Sequence, residues 1–137
     1  MFATLESIKP ESKDSVLLST GSWIVNILAT VGLFLCLLIF FTSKEDKFAR
    51  LHSLQAAMLH LAVFILAILL VTILSLSSII LALIGSNLGL ISAILIAPSL
   101  LSLAILAILF YLYAGYRAYK GQVFLVPILG RIALKFV

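Results

Sequence analysis

The stretch LHSLQAAMLHLAVFILAILLVTILSLSSIILALIGSNLGLISAILIAPSLLSLAILAILFYLYAGY, residues 51–116, decides the fold: it holds no Asp, Glu, Lys or Arg between Arg50 and Arg117. One membrane crossing needs about 20 apolar residues, so this stretch predicts two crossings and a turn between them. The turn falls at Gly85-Ser86-Asn87-Leu88-Gly89, where two glycines and an asparagine interrupt the apolar runs. The whole 137-residue chain is 64% hydrophobic and 10% charged. Soluble domains are roughly half apolar and one quarter charged. A water-soluble fold of this length has no way to cover so much apolar surface.

Upstream of the turn, residues 51–84 form an apolar run of about 51 Å as a helix, too long for a hydrocarbon core of about 30 Å. Leu51 to Met58 is therefore expected at the interface, with the span proper at 58–84. Downstream, a span is expected at 90–116, kinked at Pro98, which lacks an N–H and crowds the preceding turn. Phe110, Tyr111, Tyr113, Tyr116 and Tyr119 form an aromatic belt at its basic end. Ser43 to Arg50 is a charged loop. Before it, residues 18–42 read as a first span with Trp23 near one end and Phe40 and Phe41 near the other. Residues 1–17, carrying Glu6, Lys9, Glu11, Lys13 and Asp14, read as a polar tail. Gly121 ends the last span, and residues 122–137 are too short to cross, so they are expected to be interfacial or partly re-entrant.

The expected fold class is thus an all-α membrane protein of about three transmembrane helices in a single domain, 18–137, plus the C-terminal segment. Lys44, Lys47 and Arg50 fall on one side with Arg117, Lys120, Arg131 and Lys135, while the turn at 85–89 is uncharged. The positive-inside rule then predicts N-out, C-in in the cell inner membrane. The net charge of +4 comes from few basic residues that flank apolar segments. It therefore points to membrane-surface anchoring and not to nucleic acid. Cys36 is a lone cysteine, so no disulfide framework exists.

Helices in lipid associate through small residues and scattered polar ones. Ala93, Ala97, Ala104, Ala107, Ala114 and Ala118 fall within an arc of about 100° and are the expected packing face of the last span. Ser53, Ala56, Ala57, His60 and Ala67 share a face of the preceding one, which aims His60 into the bundle. His60 reads either as a proton-responsive group or, preferably, as a neutral imidazole bonded across helices. Ser22, Asn26 and Thr30 form an i+4 stripe able to meet His60, Gln55 or a backbone carbonyl of another helix. His52 and His60 lie about 80° apart on a helix, a poor arrangement for a shared metal. With no intramembrane carboxylate and no nucleophile or phosphate-loop motif, the chain reads as non-enzymatic, without cofactor or metal.

Two stretches also resemble a known family. Glu45-Asp46-Lys47-Phe48-Ala49-Arg50-Leu51-His52-Ser53-Leu54-Gln55-Ala56 is similar to the charged loop, Phe, Arg, then His and Gln signature of the Tic-twenty-like membrane proteins. Ala118-Tyr119-Lys120-Gly121, followed by Pro127-Ile128-Leu129-Gly130 and by Ala133 and Lys135, resembles that family's ending. The resemblance singles out Phe48, Arg50, His52, Gln55, Tyr119, Lys120, Gly121, Pro127 and Gly130, and implies a protein-translocation-related structural bundle. The alternatives are an accessory subunit of a larger respiratory, photosynthetic or transport complex and, third, an oligomeric ion or proton pathway through Asn26 and His60. Expected partners are the lipid bilayer and either other membrane subunits or further copies of this chain. The two stretches are expected to pack together, with Phe48 dipping into the interface, Lys47 and Arg50 on headgroups, and His52 and Gln55 bonding the C-terminal segment.

Overall fold

The computed structural model describes residues 8–28 and 30–137, the side chains of Thr30, Ser86 and Leu88 excepted. Glu6 of the polar tail and the Thr30 hydroxyl of the expected stripe lie outside the described residues. The elements are α1 (Lys13–Ile24), a 3-10 turn (Val25–Leu28), α2 (Thr30–Thr42), α3 (Lys47–Ile84), α4 (Ser86–Ile94), α5 (Ile96–Tyr119) and α6 (Leu129–Ala133). No strand occurs among the described residues. Two of these helical stretches, Lys47–Ile84 and Gly89–Tyr119, are long and apolar enough to cross a membrane, and none of their most apolar window is buried inside the protein. A core helix of a soluble protein would be covered by its own fold. Here side chains such as Phe64, Ile73 and Leu83 need lipid to cover them.

The stretch expected to form a first span is two short helices. Ser12 caps α1 by accepting from the Ser15 N–H at 3.2 Å. The helix gives way to the 3-10 turn, and α2 runs back along it. The Cys36 thiol donates to the Ser22 carbonyl at 2.9 Å, which pairs residues fourteen apart as only an antiparallel hairpin can. Gly32 lies so close to the turn that a Cβ there would overlap the Val25 carbonyl and come within 2.6 Å of the Asn26 Cα. At 12 and 13 residues, α1 and α2 measure only about 18–20 Å each, short of the hydrocarbon core of about 30 Å.

The chain forms two compact units, residues up to Leu61 with Leu109–Val137, and Ala62–Ile108. In the second unit the reversal is concentrated at Gly85, which precedes α4 in extended backbone. Gly89 sits where α4 comes closest to α3: a Cβ there would be 2.6 Å from the Ala82 Cβ and 2.9 Å from the Ser78 carbonyl. Ser92 donates to the Ser78 hydroxyl across this hairpin at 2.8 Å. The Thr72, Ser77, Ser99 and Ser102 hydroxyls return to carbonyls three or four residues back. This satisfies them internally, as lipid surroundings require. The break between α4 and α5 at Leu95 lies three residues before Pro98, where the expected kink belongs, because the proline ring excludes the Ile94 carbonyl from regular helix geometry. On the expected alanine face, Ala114 and Ala118 are buried, but Ala93, Ala97 and Ala104 are exposed.

In the first unit, Asp46 opens α3 by accepting from the Ala49 N–H at 2.9 Å. Gly121, at φ +67°, follows the last turn of α5. Residues 122–126 then carry no regular secondary structure, and α6 follows. Ile8, Phe48, Leu51 and Ala133 form a buried cluster, flanked by Leu54, Met58, Val123 and Leu125. Within this unit Ile8 therefore packs beside the C-terminal segment.

Candidate functional site

The first unit holds most of the buried polar side chains described: Ser15, Ser19 and Ser22 on α1, Asn26 on the 3-10 turn, and His52, Ser53 and Gln55 at the start of α3. This helix has 38 residues, about 57 Å. That exceeds a hydrocarbon core of about 30 Å by many turns, and the turns before Met58 are the polar and charged ones. On those turns His52 and Gln55 are fully buried. His52 Nδ1 accepts a hydrogen bond from the Trp23 indole Nε1 at 3.1 Å, and the Phe48 ring meets the imidazole edge-on at 4.5 Å. Because Nδ1 is the acceptor, the neutral imidazole carries its proton on Nε2, which is buried without a hydrogen-bond partner. Burial pushes the His52 pKa down to about 4, against weaker opposing effects of the Gln122 backbone and Asp46. The side chain is a neutral acceptor near neutral pH.

Gln55 holds the C-terminal segment. Its Oε1 accepts from the Val126 N–H at 2.9 Å, 71 residues along the chain. Asn26, on the 3-10 turn, donates through Nδ2 to the Ala56 carbonyl at 2.9 Å, and the Cys36 thiol points at its other amide atom, Oδ1, at 3.6 Å. Arg50 donates to the Phe136 carbonyl at 3.0 Å and lies over the Phe40 ring at 4.9 Å. It thus grips the tail from the protein side, where headgroup binding was expected. Phe48, expected at the interface, is fully buried, because the tail and Ile8 close over it.

The remaining singled-out residues divide by position. Gly130 is buried against Leu125, whose Cβ would be 2.9 Å from an added Cβ, so only glycine fits there. Pro127 accepts from the Leu129 N–H at 2.8 Å, closing a three-residue turn. Tyr119 lines a surface cleft with Lys13, Val16 and Leu17, and the Lys120 ammonium sits 5.4 Å from the Tyr116 ring. His60 stands apart from the cluster, half-buried and stacked on Tyr111 at 6.5 Å and 16°. The two stretches that carried the resemblance do meet, through Gln55 with Val126 and through Phe48 and Leu51 with Ala133. His52 pairs with Trp23, which the sequence had suggested only as an interface marker. The available signal was the indole N–H, which needs a partner when buried.

Chemically, this arrangement is a clamp. The polar atoms of Trp23, Asn26, His52 and Gln55 bond the chain to itself across three segments. No group of three His, Cys, Asp or Glu side chains able to hold a metal occurs among the described residues.

No curated protein and no solved structure matches the chain. A family model does: the MamF/MmsF model, described as the magnetosome magnetite crystal formation protein family, matches residues 12–133. This overturns the Tic-twenty-like resemblance and the translocation role drawn from it. The residues behind that resemblance open α3, end α5 and fold the tail against α3. Because the match runs through both stretches and everything between them, the chain belongs to the magnetosome magnetite crystal formation protein family.

Proposed function

We propose that this protein takes part in magnetite crystal formation as a non-enzymatic, membrane-embedded component. The observation that carries the reading is the family match over residues 12–133. The buried polar groups at the start of α3 support a structural role, since they are engaged in holding α1, α2 and the C-terminal segment in place. Its partners are the lipid bilayer and other membrane subunits or further copies of itself. The proposed topology has two crossings, one in α3 and one in α4–α5, with the α1–α2 hairpin entering and leaving by a single face. Lys44, Lys47, Arg117, Lys120, Arg131 and Lys135 then lie with both termini on the cytoplasmic face. The uncharged Gly85–Asn87 reversal lies on the opposite one.

In a magnetite-forming cell lacking this protein, electron microscopy is expected to show crystals of altered size or shape that recover when the intact chain is restored. Crystals unchanged by its loss would overturn the reading. Topology is checked separately in a Cys36→Ser background. An impermeant thiol reagent is expected to reach Asn87→Cys and Lys135→Cys from opposite sides; labelling from the same side would refute two crossings.

A further inference from the structure

The C-terminal segment carries a cleft of about 430 Å3 lined by Pro127, Ile128, Arg131, Ile132 and Lys135. That volume lies within the range of about 300–1,000 Å3 usual for ligand sites. Two of the five lining side chains are basic and three are apolar, and no acidic residue occurs anywhere in 122–137. Arg131 and Lys135 are exposed, and beside them Ile128 and Ile132 are 74% and 37% exposed. Apolar and cationic groups thus share one surface, on a segment that the Gln55–Val126 and Arg50–Phe136 bonds hold at the headgroup end of α3.

The backbone adds an independent observation. Ile128 has φ 67° and ψ −61°, a conformation that a β-branched residue adopts only under strain. The Pro127–Leu129 hydrogen bond closes this strained turn and leaves the Ile128 side chain 74% exposed. An apolar side chain held outward in this way is covered if it inserts into something outside the protein.

We propose that this cleft is a docking site for the phosphate of an anionic lipid headgroup, with Arg131 and Lys135 on the phosphate and Pro127, Ile128 and Ile132 in the adjoining acyl region. Charge complementarity selects an anion. The apolar half of the surface selects a lipid over a free anion, which would leave those three side chains in water. The site rests on the membrane placement of the chain and not on its part in magnetite formation, so unaltered crystals in the deletion strain would leave it standing.

The test uses the full chain in mild detergent, with retained lipid counted by native mass spectrometry after addition of phosphatidylglycerol or phosphatidylcholine. The intact protein is expected to retain phosphatidylglycerol preferentially. The preference should fall about fivefold in Arg131→Gln or Lys135→Gln and about thirtyfold in the double variant. The exchanged pair, Arg131→Lys with Lys135→Arg, should restore it. Equal retention of the two lipids, or an unchanged preference in the double variant with its helix content intact, would overturn the proposal. So would displacement of the lipid by millimolar inorganic phosphate, which would make the cleft a site for a free anion. Capture of an acidic protein through Arg131 and Lys135 with no selectivity for lipid would count equally against it.

Discussion

Replacing Gln55 by Met should release the C-terminal segment without unfolding the protein. The Gln55 carbonyl oxygen accepts the Val126 N–H at 2.9 Å, and Val126 is only 5% exposed. Met keeps the volume and removes the acceptor, leaving a buried backbone donor without a partner. That costs about 1–3 kcal/mol, which corresponds to a fall of about 5- to 150-fold in the protection of the Val126 amide if it exchanges through local opening. Amide exchange followed by mass spectrometry in detergent reads this directly. The faster exchange should be confined to about residues 122–134, and the amides around Ser78 and Ser92 should keep wild-type rates. Unchanged exchange at Val126 would refute the clamp. An equal rise everywhere would mean that Gln55 supports global stability and does not pin the tail.

Three glycine substitutions should separate by their surroundings. Gly32→Ala meets the Val25 and Asn26 backbone and should open the α1–α2 hairpin, at about 3 kcal/mol or more in a denaturation series. Gly115→Ala makes ordinary contact with the Trp23 Cβ at 3.5 Å, and Gly21→Ala meets nothing within 4 Å, so both should be neutral or stabilising by up to about 1 kcal/mol. Equal loss in all three would refute the close approach at Gly32. For pH, the folded His52 pKa of about 4 lies below its ordinary 6.5, so between these values the unfolded chain binds more protons. Stability is then complete above about pH 6.5 and lost as the pH falls toward 4; a thermal midpoint flat between pH 7 and pH 5 would contradict a buried neutral imidazole. At Ile128, glycine tolerates the positive φ that alanine does not, so Ile128→Gly should be more stable than Ile128→Ala by about 1 kcal/mol. The reverse order would remove the strain from that turn.

What the sequence made legible followed from composition over long stretches. The charge-free run after Arg50 requires lipid-facing helices, and Gly85 and Pro98 disturb the backbone close to where their chemistry demands. The α1–α2 hairpin was hidden because an apolar run of 25 residues, 18–42, has the same hydropathy whether it crosses once or turns back. The distinguishing feature is Gly32, whose missing Cβ admits the Val25 carbonyl. Gly32 stands among Val31, Leu33 and Phe34, with no neighbouring turn residue to mark a reversal. At the clamp, Asn26, His52 and Gln55 stood out as polar residues in or beside apolar helices. Their partners did not, since Ala56 and Val126 contribute only backbone atoms, which every residue carries. The family itself was misread because two short stretches carried the resemblance, whereas the family match runs over residues 12–133.

The bond from Gln55 to Val126 also fixes an order of biosynthesis. Seventy-one residues separate the two, and between them lie the rest of α3 and all of the second long apolar stretch, Gly89–Tyr119. The ribosome finishes Val126 only after the whole apolar run has been made, so Phe48, Leu51 and Ile8 wait during insertion for the cover that Ala133 and Leu134 bring. A chain cut before Val126 therefore leaves Phe48 and Leu51 without the cover of Ala133 and Leu134.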